Sequence, residues 1–294
     1  MGKLVRCISD DGCVSVIACD TTDIAVRAHE IHSTSNVCSA ALGRALTAAV
    51  MMGAMLKSPS DSITLKLAGG GEAGTVMAVV DGALHIKGWM ANPSVELPLK
   101  ENGHLDVGGA VGRDGFITVI KDLGLKEPFI GQVPLVSGEI AEDVTSYYAV
   151  SEQVPTVCGL GVLVSSHQDT YGQIITSGGY MIQLLPTADD RIITRVENGL
   201  AGVKSVTGML TDGMSPFEIC KAVLPGFRIE QLDEYEPVYH CDCSRERVER
   251  ALISTGKRAL IEMSHDDSTE IKCHFCGKAY RFTGGELLAL ADTL

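Results

Sequence analysis

Two cysteine pairs near the C-terminus have the residue type and the spacing of a metal site. Cys241 and Cys243 form a C-x-C pair, and Cys273 and Cys276 form a C-x-x-C pair about 30 residues later. Four thiolates on two turns can converge on one small cation, and zinc is the usual occupant of such a sulfur site. The second pair, with Gly277 after it, has the usual spacing of a zinc knuckle. The first pair has only one intervening residue, which holds its two sulfurs close together with little conformational freedom. We therefore interpret the four cysteines as a zinc centre that can open as well as close.

The same sulfur atoms also offer redox chemistry. Thiolates that bind zinc stay deprotonated and are oxidisable, and each close pair can become a local disulfide that no longer holds metal. The alternative is a purely structural site that only fastens the chain. His240 and His274 adjoin cysteines and could compete as ligands, but four thiolates suffice. We expect one Zn²⁺ on the four cysteines of the reduced protein.

The segment that carries the cysteines, residues 240–294, is short. At about 55 residues a hydrophobic core alone gives marginal stability, and natural domains of this size commonly recruit a metal. Structural zinc contributes roughly 10 to 16 kcal/mol in small peptides, so we expect loss of the metal to unfold the segment. Caps and turns predict its elements: a helix over 245–253, a hairpin over 271–282 and a last helix after the capping box 283–286.

Residues 226–239, just before the cysteines, form an unusual linker. The segment interleaves acids with apolar side chains, among them Phe227, Ile229, Leu232 and Tyr235, and prolines lie near both of its ends. The apolar groups need a surface to cover, yet the acids and prolines limit how firmly the segment can dock. We expect this linker to be metastable, so that unfolding of the metal segment removes its support and exposes surface for other nonpolar chains.

The rest of the chain predicts an α+β fold. Three β-rich runs, joined by glycines or by Asp81-Gly82, indicate an antiparallel meander. From Ser39 to Lys57 the apolar residues cover nearly the whole circumference of a helix, which predicts a helix surrounded by protein whose one central charge, Arg44, pairs with an acid or lies at a boundary. We divide the chain into four parts: a large N-terminal mixed α/β domain with an antiparallel sheet (1–185), a small helical subdomain (186–225), the linker (226–239) and a small C-terminal zinc-binding domain (240–294).

Two motifs have residue patterns found in enzymes, but the sequence around each of them does not support that function. The run at 69–74 matches the glycine-rich dinucleotide-binding pattern, but a strand-like run at 75–80 follows it instead of a helix, so a tight glycine turn is the better interpretation. Residues 165–169 contain the side chains of a hydrolytic triad, but adjacent loop positions cannot place nucleophile, base and acid in line. We expect no catalytic residues and no enzyme.

Composition and charge exclude further classes. The chain has 294 residues with 45% hydrophobic content, enough for a sizeable core. Its net charge of -13 argues against a nucleic-acid partner, because phosphate binding needs a surplus of Lys and Arg. A zinc-ribbon nucleic-acid-binding module is therefore the less favoured alternative. The most apolar stretch, Ala45 to Leu56, is too short to cross a bilayer, and the N-terminus has no apolar h-region, so we expect a cytoplasmic protein without a membrane partner.

Six further cysteines are scattered through the first 225 residues without metal-site spacing. In a reducing cytosol, free cysteines are most simply small buried hydrophobic side chains. We interpret these six in that way: Cys7, Cys13, Cys19, Cys38, Cys158 and Cys220.

Several stretches together resemble a known family. The ending Cys241-Asp242-Cys243-Ser244-Arg245-Glu246-Arg247-Val248-Glu249-Arg250-Ala251-Leu252, followed by Cys273-His274-Phe275-Cys276, resembles the 33-kilodalton heat-shock protein family of redox-regulated holdase chaperones. Ser39-Ala40-Ala41-Leu42-Gly43-Arg44, the glycines at 69–71 and Ser151-Glu152-Gln153-Val154-Pro155-Thr156 are similar to that family as well. The resemblance spans essentially the whole chain.

The resemblance implies a bacterial cytosolic chaperone that works without ATP and protects unfolding proteins from aggregation during oxidative stress. It implies a reduced, zinc-bound and inactive monomer, which peroxide or bleach together with unfolding conditions converts to an active holdase, often a homodimer. By the same analogy Cys241 pairs with Cys243 and Cys273 with Cys276 after oxidation. The linker at 226–239 would be the metastable element, and unfolded client proteins would be the partners.

Overall fold

The chain forms two units, each with its own secondary structure. The computed structural model describes residues 2–294, so that Met1 lies outside it; the first unit ends at Tyr239 and the second is His240–Leu294. Residues 2–239 form eleven strands: β1 (Lys3–Ser9), β2 (Val14–Asp20), β3 (Ser62–Gly70), β4 (Val76–Asp81), β5 (His85–Met90), β6 (Gly112–Asp122), β7 (Phe129–Pro134), β8 (Thr156–Val164), β9 (Ile174–Leu184), β10 (Ile229–Tyr235) and β11 (Val238–Tyr239). The same residues form seven α-helices: α1 (Thr22–His32), α2 (Asn36–Gly53), α3 (Val107–Val111), α4 (Ala141–Tyr147), α5 (Asp190–Leu200), α6 (Val206–Thr211) and α7 (Pro216–Val223).

The strands of the first unit make two sheets. Sheet A has the order β10-β1-β2-β9-β8 and is antiparallel throughout, and sheet B has the order β11-β5-β4-β3-β6-β7 and is antiparallel apart from β11. The alternating burial of β3, with Ile63, Leu65 and Leu67 inside, shows which face of sheet B packs on the core. The predicted meander is β3-β4-β5, and the predicted α+β class is confirmed.

Helix α2 joins the two sheets into one core. It begins after Ser35, whose hydroxyl accepts a hydrogen bond from the Cys38 N–H. Every residue of α2 except Asn36 and Arg44 is buried, because the helix contacts strands of sheet B on one side and of sheet A on the other. The Arg44 guanidinium lies 2.6 Å from a Glu139 carboxylate oxygen. The predictions of a surrounded helix and of a paired Arg44 are therefore confirmed.

Helices α5, α6 and α7 cover the other face of sheet A. They share a second hydrophobic cluster with β1, β2 and β9, in which Val16 and Ile182 of the sheet meet Ile219 of α7. Ser205 accepts a hydrogen bond from the Gly208 N–H and so begins α6 at Val206, after a turn that follows α5.

The predicted linker is mostly extended strand. Strand β10 pairs with β1 at the edge of sheet A, with a register shift between Arg6 and Cys7, and β11 places Val238 opposite His85 of β5. The interleaved acids of residues 226–239 suit an edge strand, because the main chain of such a strand is paired on one side only and its exposed side chains face water. Its partner strand is more than 200 residues away in sequence, a distance that local patterns do not reveal.

The glycine run at 69–74 differs from the predicted tight turn. Strand β3 continues to Gly70, so the turn begins only afterwards. A Cβ on Gly69 would collide with the main-chain carbonyl of Gly112, and a Cβ on Gly71 with that of Ala110. The run is therefore needed for close backbone approach to α3 and the start of β6, in addition to the positive φ of 77° at Gly70.

Four of the six scattered cysteines are buried as predicted: Cys7, Cys19, Cys38 and Cys220. Cys13 and Cys158 are half-buried, so the prediction is wrong for these two. Cys13 follows the turn after β1, at the rim of sheet A, and Cys158 lies on β8, an edge strand with no neighbour on its outer side in the described part of the chain.

The second unit has a small core. Its elements are α8 (Arg245–Ser254), α9 (Lys257–Met263), β12 (Thr269–Lys272), β13 (Ala279–Phe282) and α10 (Gly284–Ala291). The predicted first helix, hairpin and last helix are confirmed; α9, which buries only Leu260, was missed. Nowhere between residues 2 and 294 does a helix combine the length and the apolar character that crossing a membrane requires.

Candidate metal centre

The first thiol pair lies where the second unit begins. Cys241 and Cys243 precede α8 directly, and Ser244 caps that helix by accepting a hydrogen bond from the Arg247 N–H at 3.3 Å. The Arg247 side chain forms an ion pair with Asp242, the residue between the two cysteines. The helix cap and this ion pair hold the two-sulfur segment at a fixed place relative to α8.

The second thiol pair lies in the turn of the β12-β13 hairpin. The Cys273 N–H donates to the Lys278 carbonyl and the Gly277 N–H donates to the Cys273 carbonyl, both at 2.9 Å. Gly277 adopts a φ of 70°, which a residue with a side chain rarely adopts. The hairpin pairs Lys272 with Ala279, so the turn carries Cys273 and Cys276 at its tip.

The structure brings the four predicted sulfur atoms together. Cys241 Sγ lies 3.7 Å from Cys273 Sγ, and Cys243 Sγ lies 3.4 Å from Cys276 Sγ. All four sulfurs lie within 4.8 Å of one another. Four sulfurs at about 2.3 Å from one zinc ion would be separated by about 3.8 Å in a tetrahedron. The donor set and its spacing therefore fit a metal ion of the zinc type.

The surroundings affect the four thiols unequally. Burial raises the pKa of Cys241, and the neighbouring Cys273 thiol adds to that effect. Burial acts to raise the pKa of Cys243 as well, but hydrogen bonds from Tyr280 and from neighbouring thiols outweigh it, so the net pKa of Cys243 is lowered. Burial also raises the pKa of Cys276. A divalent cation at the centre would favour the thiolate form of all four.

The metal centre rests on a small hydrophobic cluster. Six buried residues make up this third core: Leu252, Leu260, Tyr280, Phe282, Leu287 and Ala291. The Arg245 guanidinium covers the Phe282 ring at 4.3 Å and also pairs with Glu286 at 2.6 Å. A core of this size suits a unit that needs additional stabilisation from a metal.

The apolar residues of the linker divide between the two larger clusters. Phe227 lies under the Arg195 guanidinium, 3.9 Å from the ring centroid, and packs with Ile229 on the second cluster. Tyr235 packs against the main core. Leu232 is 52% exposed. The predicted linker residues thus do not form one site; they attach β10 at both of its ends.

Sequence reasoning missed two contacts of the centre. One is the hydroxyl of Tyr280, which donates to Cys243 Sγ at 3.1 Å, and the other is the pair between Asp242 and Arg247. The C-x-C spacing gives no signal for the first, because Tyr280 reaches Cys243 only through the pairing of β13 with β12. The second could be found in the sequence, because Asp242 lies just before the predicted helix and Arg247 lies five residues later, inside its first turn.

The enzyme-like motif at 165–169 is not assembled in the structure. Ser165 Oγ lies 2.6 Å from Thr170 Oγ1, and Ser165 Oγ accepts a hydrogen bond from the main-chain N–H of His167 at 3.2 Å. Within residues 2–294, the four-cysteine cluster is the one group of three or more His, Cys, Asp or Glu side chains positioned to hold a metal ion.

The fold and the site together define a class: an α+β protein with a separate unit built around a four-sulfur centre. The chain matches the family described as Hsp33 protein over residues 2–283. It is 47% identical over 292 residues to the "33 kDa chaperonin" of Clostridium perfringens strain SM101, covering 99% of this chain and 91% of the relative. It is 45% identical to that of Clostridium tetani, covering 99% of both.

A solved structure agrees with these relatives. The crystal structure of the 33 kDa chaperonin (heat shock protein 33 homolog) from Thermotoga maritima matches with a TM-score of 0.89 and 33% identity, covering 99% of this chain and 98% of that one. The chain belongs to the Hsp33 family, a family of chaperones and not of enzymes.

Proposed function

We propose that this chain is a redox-regulated, ATP-independent holdase that protects unfolding proteins from aggregation during oxidative stress in the cytoplasm. The observation that carries the proposal is the cluster of four sulfur atoms within 4.8 Å, in a unit whose own core has six buried hydrophobic residues. Membership of a chaperone family supports the chaperone part, and unfolded client proteins are the proposed partners.

In the reduced protein, we assign one Zn²⁺ to Cys241, Cys243, Cys273 and Cys276. The ion would supply a cross-link between the segment before α8 and the tip of the β12-β13 hairpin, in place of a larger hydrophobic core. Oxidation of the cysteines to disulfides removes the thiolate ligands. The proposed disulfides join Cys241 to Cys243 and Cys273 to Cys276.

The linker connects this chemistry to client binding. Tyr239, at the end of β11, is two residues from Cys241, so an unfolded second unit would no longer fix the chain end that follows β10 and β11. Strand β10 is an edge strand with a bulge and is paired on one side only. Its release would uncover β1 and the apolar surfaces under Phe227, Ile229 and Tyr235. An uncovered β1 edge also favours a homodimer of the oxidised form.

A client-aggregation assay tests the proposal. Light scattering of a thermally unfolding client is measured with reduced protein and with protein treated with peroxide at elevated temperature. Only the oxidised protein should suppress aggregation at equimolar ratio. The Cys13→Ser variant, which leaves the four-sulfur centre intact, serves as a matched control and should switch like the wild type. Equal suppression by reduced and oxidised protein would refute redox regulation.

Disulfide mapping tests the proposed pairing. The closest sulfur contacts join the two pairs to each other, Cys241 to Cys273 and Cys243 to Cys276, although all four sulfurs lie within 4.8 Å. Peptide mass spectrometry of the oxidised protein should find links within each pair. Links between the pairs would contradict the pairing and would leave the second unit cross-linked after oxidation.

The second unit offers little to a nucleic acid. Its basic side chains are largely neutralised by acids: Arg245 pairs with Glu249 and Glu286, Arg247 with Asp242, Arg281 and Lys272 with Glu270, and Lys257 with Asp292. Phosphate binding needs unpaired cations that can replace counterions. We therefore propose no nucleic-acid partner.

A further inference from the structure

One side-chain hydroxyl contacts the metal centre. Tyr280 lies on β13 opposite Ile271, and only 7% of it is exposed. Its ring belongs to the third core, while its hydroxyl donates a hydrogen bond to Cys243 Sγ at 3.1 Å. The ring is thus held by packing, and the hydroxyl is aimed at one particular sulfur atom.

The two sulfurs of the C-x-C pair have different surroundings. Each sulfur contacts one sulfur of the other pair, Cys241 Sγ with Cys273 Sγ at 3.7 Å and Cys243 Sγ with Cys276 Sγ at 3.4 Å. Cys243 Sγ in addition receives the Tyr280 hydroxyl. The Lys278 ammonium lies 5.2 Å from the Tyr280 ring centroid, and a cation near the ring makes the phenol a stronger donor.

We propose that Tyr280 is a positioning residue that protects Cys243 and directs the first oxidation within the C-x-C pair to Cys241. A hydrogen bond to a thiolate draws negative charge from the sulfur, which strengthens the hold on its position and weakens its attack on an oxidant. With zinc bound as proposed, both sulfurs would be thiolates, and the Tyr280 hydroxyl, which reaches Cys243 Sγ at 3.1 Å, would be the difference between them. The inference rests on the proposed function, because it concerns the order of events in the proposed Cys241–Cys243 disulfide.

The chemistry balances with hydrogen peroxide as the oxidant. The Cys241 thiolate attacks one peroxide oxygen, an S–O bond forms, the O–O bond breaks, and hydroxide leaves and takes up a proton to become water. The Cys243 thiolate then attacks the Cys241 sulfur; an S–S bond forms, the S–O bond breaks, and a second hydroxide leaves. The two sulfurs lose two electrons in total, and the peroxide gains them. Tyr280 slows the attack of Cys243 on peroxide, so that Cys241 reacts with peroxide first.

The test combines trapping of sulfenic acid with the rate of zinc release. Zinc-loaded protein is treated with peroxide in the presence of dimedone, adducts on Cys241 and Cys243 are quantified by mass spectrometry, and released zinc is followed with a chromogenic chelator. The Tyr280→Phe variant keeps the ring and loses the hydroxyl, and Tyr171→Phe removes a hydroxyl from a 70% exposed tyrosine as the matched control. A reactivity change of this kind is worth about threefold in rate.

Wild-type protein should carry most of the adduct on Cys241, and Tyr280→Phe should raise the share on Cys243 about threefold and release zinc faster. Replacement of Tyr280 by 3-fluorotyrosine, a stronger donor that preserves the packing, should shift both readouts in the opposite direction. If Tyr280→Phe does not retain zinc, the 3-fluorotyrosine protein alone tests whether the hydroxyl controls which sulfur is oxidised first.

Three outcomes overturn the inference: adduct mainly on Cys243 in the wild type, an unchanged ratio in Tyr280→Phe with faster zinc release alone, or no effect of the fluorotyrosine. A general loosening of the second unit would speed zinc release without moving the adduct between the two sulfurs. If the wild type releases no zinc under peroxide, the proposed function itself fails, and this result is distinct from the other three.

Discussion

The two units of this chain reach a folded state by different means. In the first, α2 lies between two sheets with sixteen residues buried, and a second cluster fills the space between sheet A and three further helices. In the second, six buried residues support three short helices and one hairpin. A core of six buried residues is small for a unit of this length, and the four cysteines are where additional stabilisation can come from.

The largest expected effect is the loss of one cysteine of the centre. If zinc binds as proposed, Cys273→Ser should abolish stoichiometric zinc binding and unfold the second unit, because structural zinc contributes about 10 kcal/mol or more in small zinc-binding peptides. Zinc content and far-UV circular dichroism of the reduced protein measure the effect. Cys13→Ser should retain one zinc per chain. A Cys273→Ser protein with the same helical signal as the wild type would show that the second unit does not depend on the metal.

A core substitution in the first unit should destabilise that unit and leave zinc binding by the second unit unchanged. Leu46 of α2 is fully buried, and Leu46→Ala should lower the free energy of unfolding of the first unit by about 2–5 kcal/mol through the cavity it leaves. Zinc stoichiometry should not change. Denaturant titration measures the loss, and Leu99→Ala, at a position that is 59% exposed, should cost less than about 0.5 kcal/mol. Loss of zinc in Leu46→Ala would show that the two units are not independent.

The ion-pair network around Glu139 makes the stability of the first unit depend on pH. Burial acts to raise the pKa of Glu139, but hydrogen bonds from Lys100 and Arg44 prevail and the net pKa is lowered. A carboxylate with a lowered pKa stabilises the fold above its unfolded pKa of about 4.3, and this stabilisation is lost as the pH falls through the folded value.

Glu139→Gln should therefore destabilise the first unit by about 2 kcal/mol at pH 7, and the difference from the wild type should shrink as the pH drops below about 4. Urea titrations at a series of pH values measure this difference. Glu127→Gln, at an exposed position, is the control. A difference that stays constant from pH 7 to pH 3 would mean that Glu139 does not act through its charge.

The smallest expected effect is in the cap of the last helix. Thr283 accepts a hydrogen bond from the Glu286 N–H at 3.3 Å, and Glu286 accepts one from the Thr283 N–H at 2.8 Å. Thr283→Ala should cost about 1 kcal/mol, far less than the metal contributes, and Thr283→Ser should restore most of it. Hydrogen exchange of α10 in the zinc-loaded protein reports the change. A loss of protection in Thr283→Ala as large as that in Cys273→Ser would show that the helix cap, and not the metal, stabilises the second unit.

The parts of the molecule that sequence could predict are those set by local patterns. The spacing of the cysteines, the Thr283 capping box and the uniformly apolar run in α2 each depend on neighbours within a few residues. The pairing of β10 with β1 depends on residues more than 200 positions apart, and the tight approach of Gly69 to Gly112 depends on the packing of α3.

The Tyr280 contact and the half-burial of Cys13 and Cys158 escaped prediction for the same reason, because tertiary contacts decide them. At the metal centre, sequence therefore indicated which sulfurs converge but not which side chain touches one of them.

Hydrogen exchange of reduced protein, with and without a zinc chelator, shows whether the second unit depends on a bound metal for its fold. With the metal removed, the amides of α8, α10 and the β12-β13 hairpin should exchange at the rate of an unfolded chain, while those of α2 keep their full protection. A metal-free second unit that still protects its amides cooperatively would contradict the account, because its six-residue core would then suffice to keep it folded.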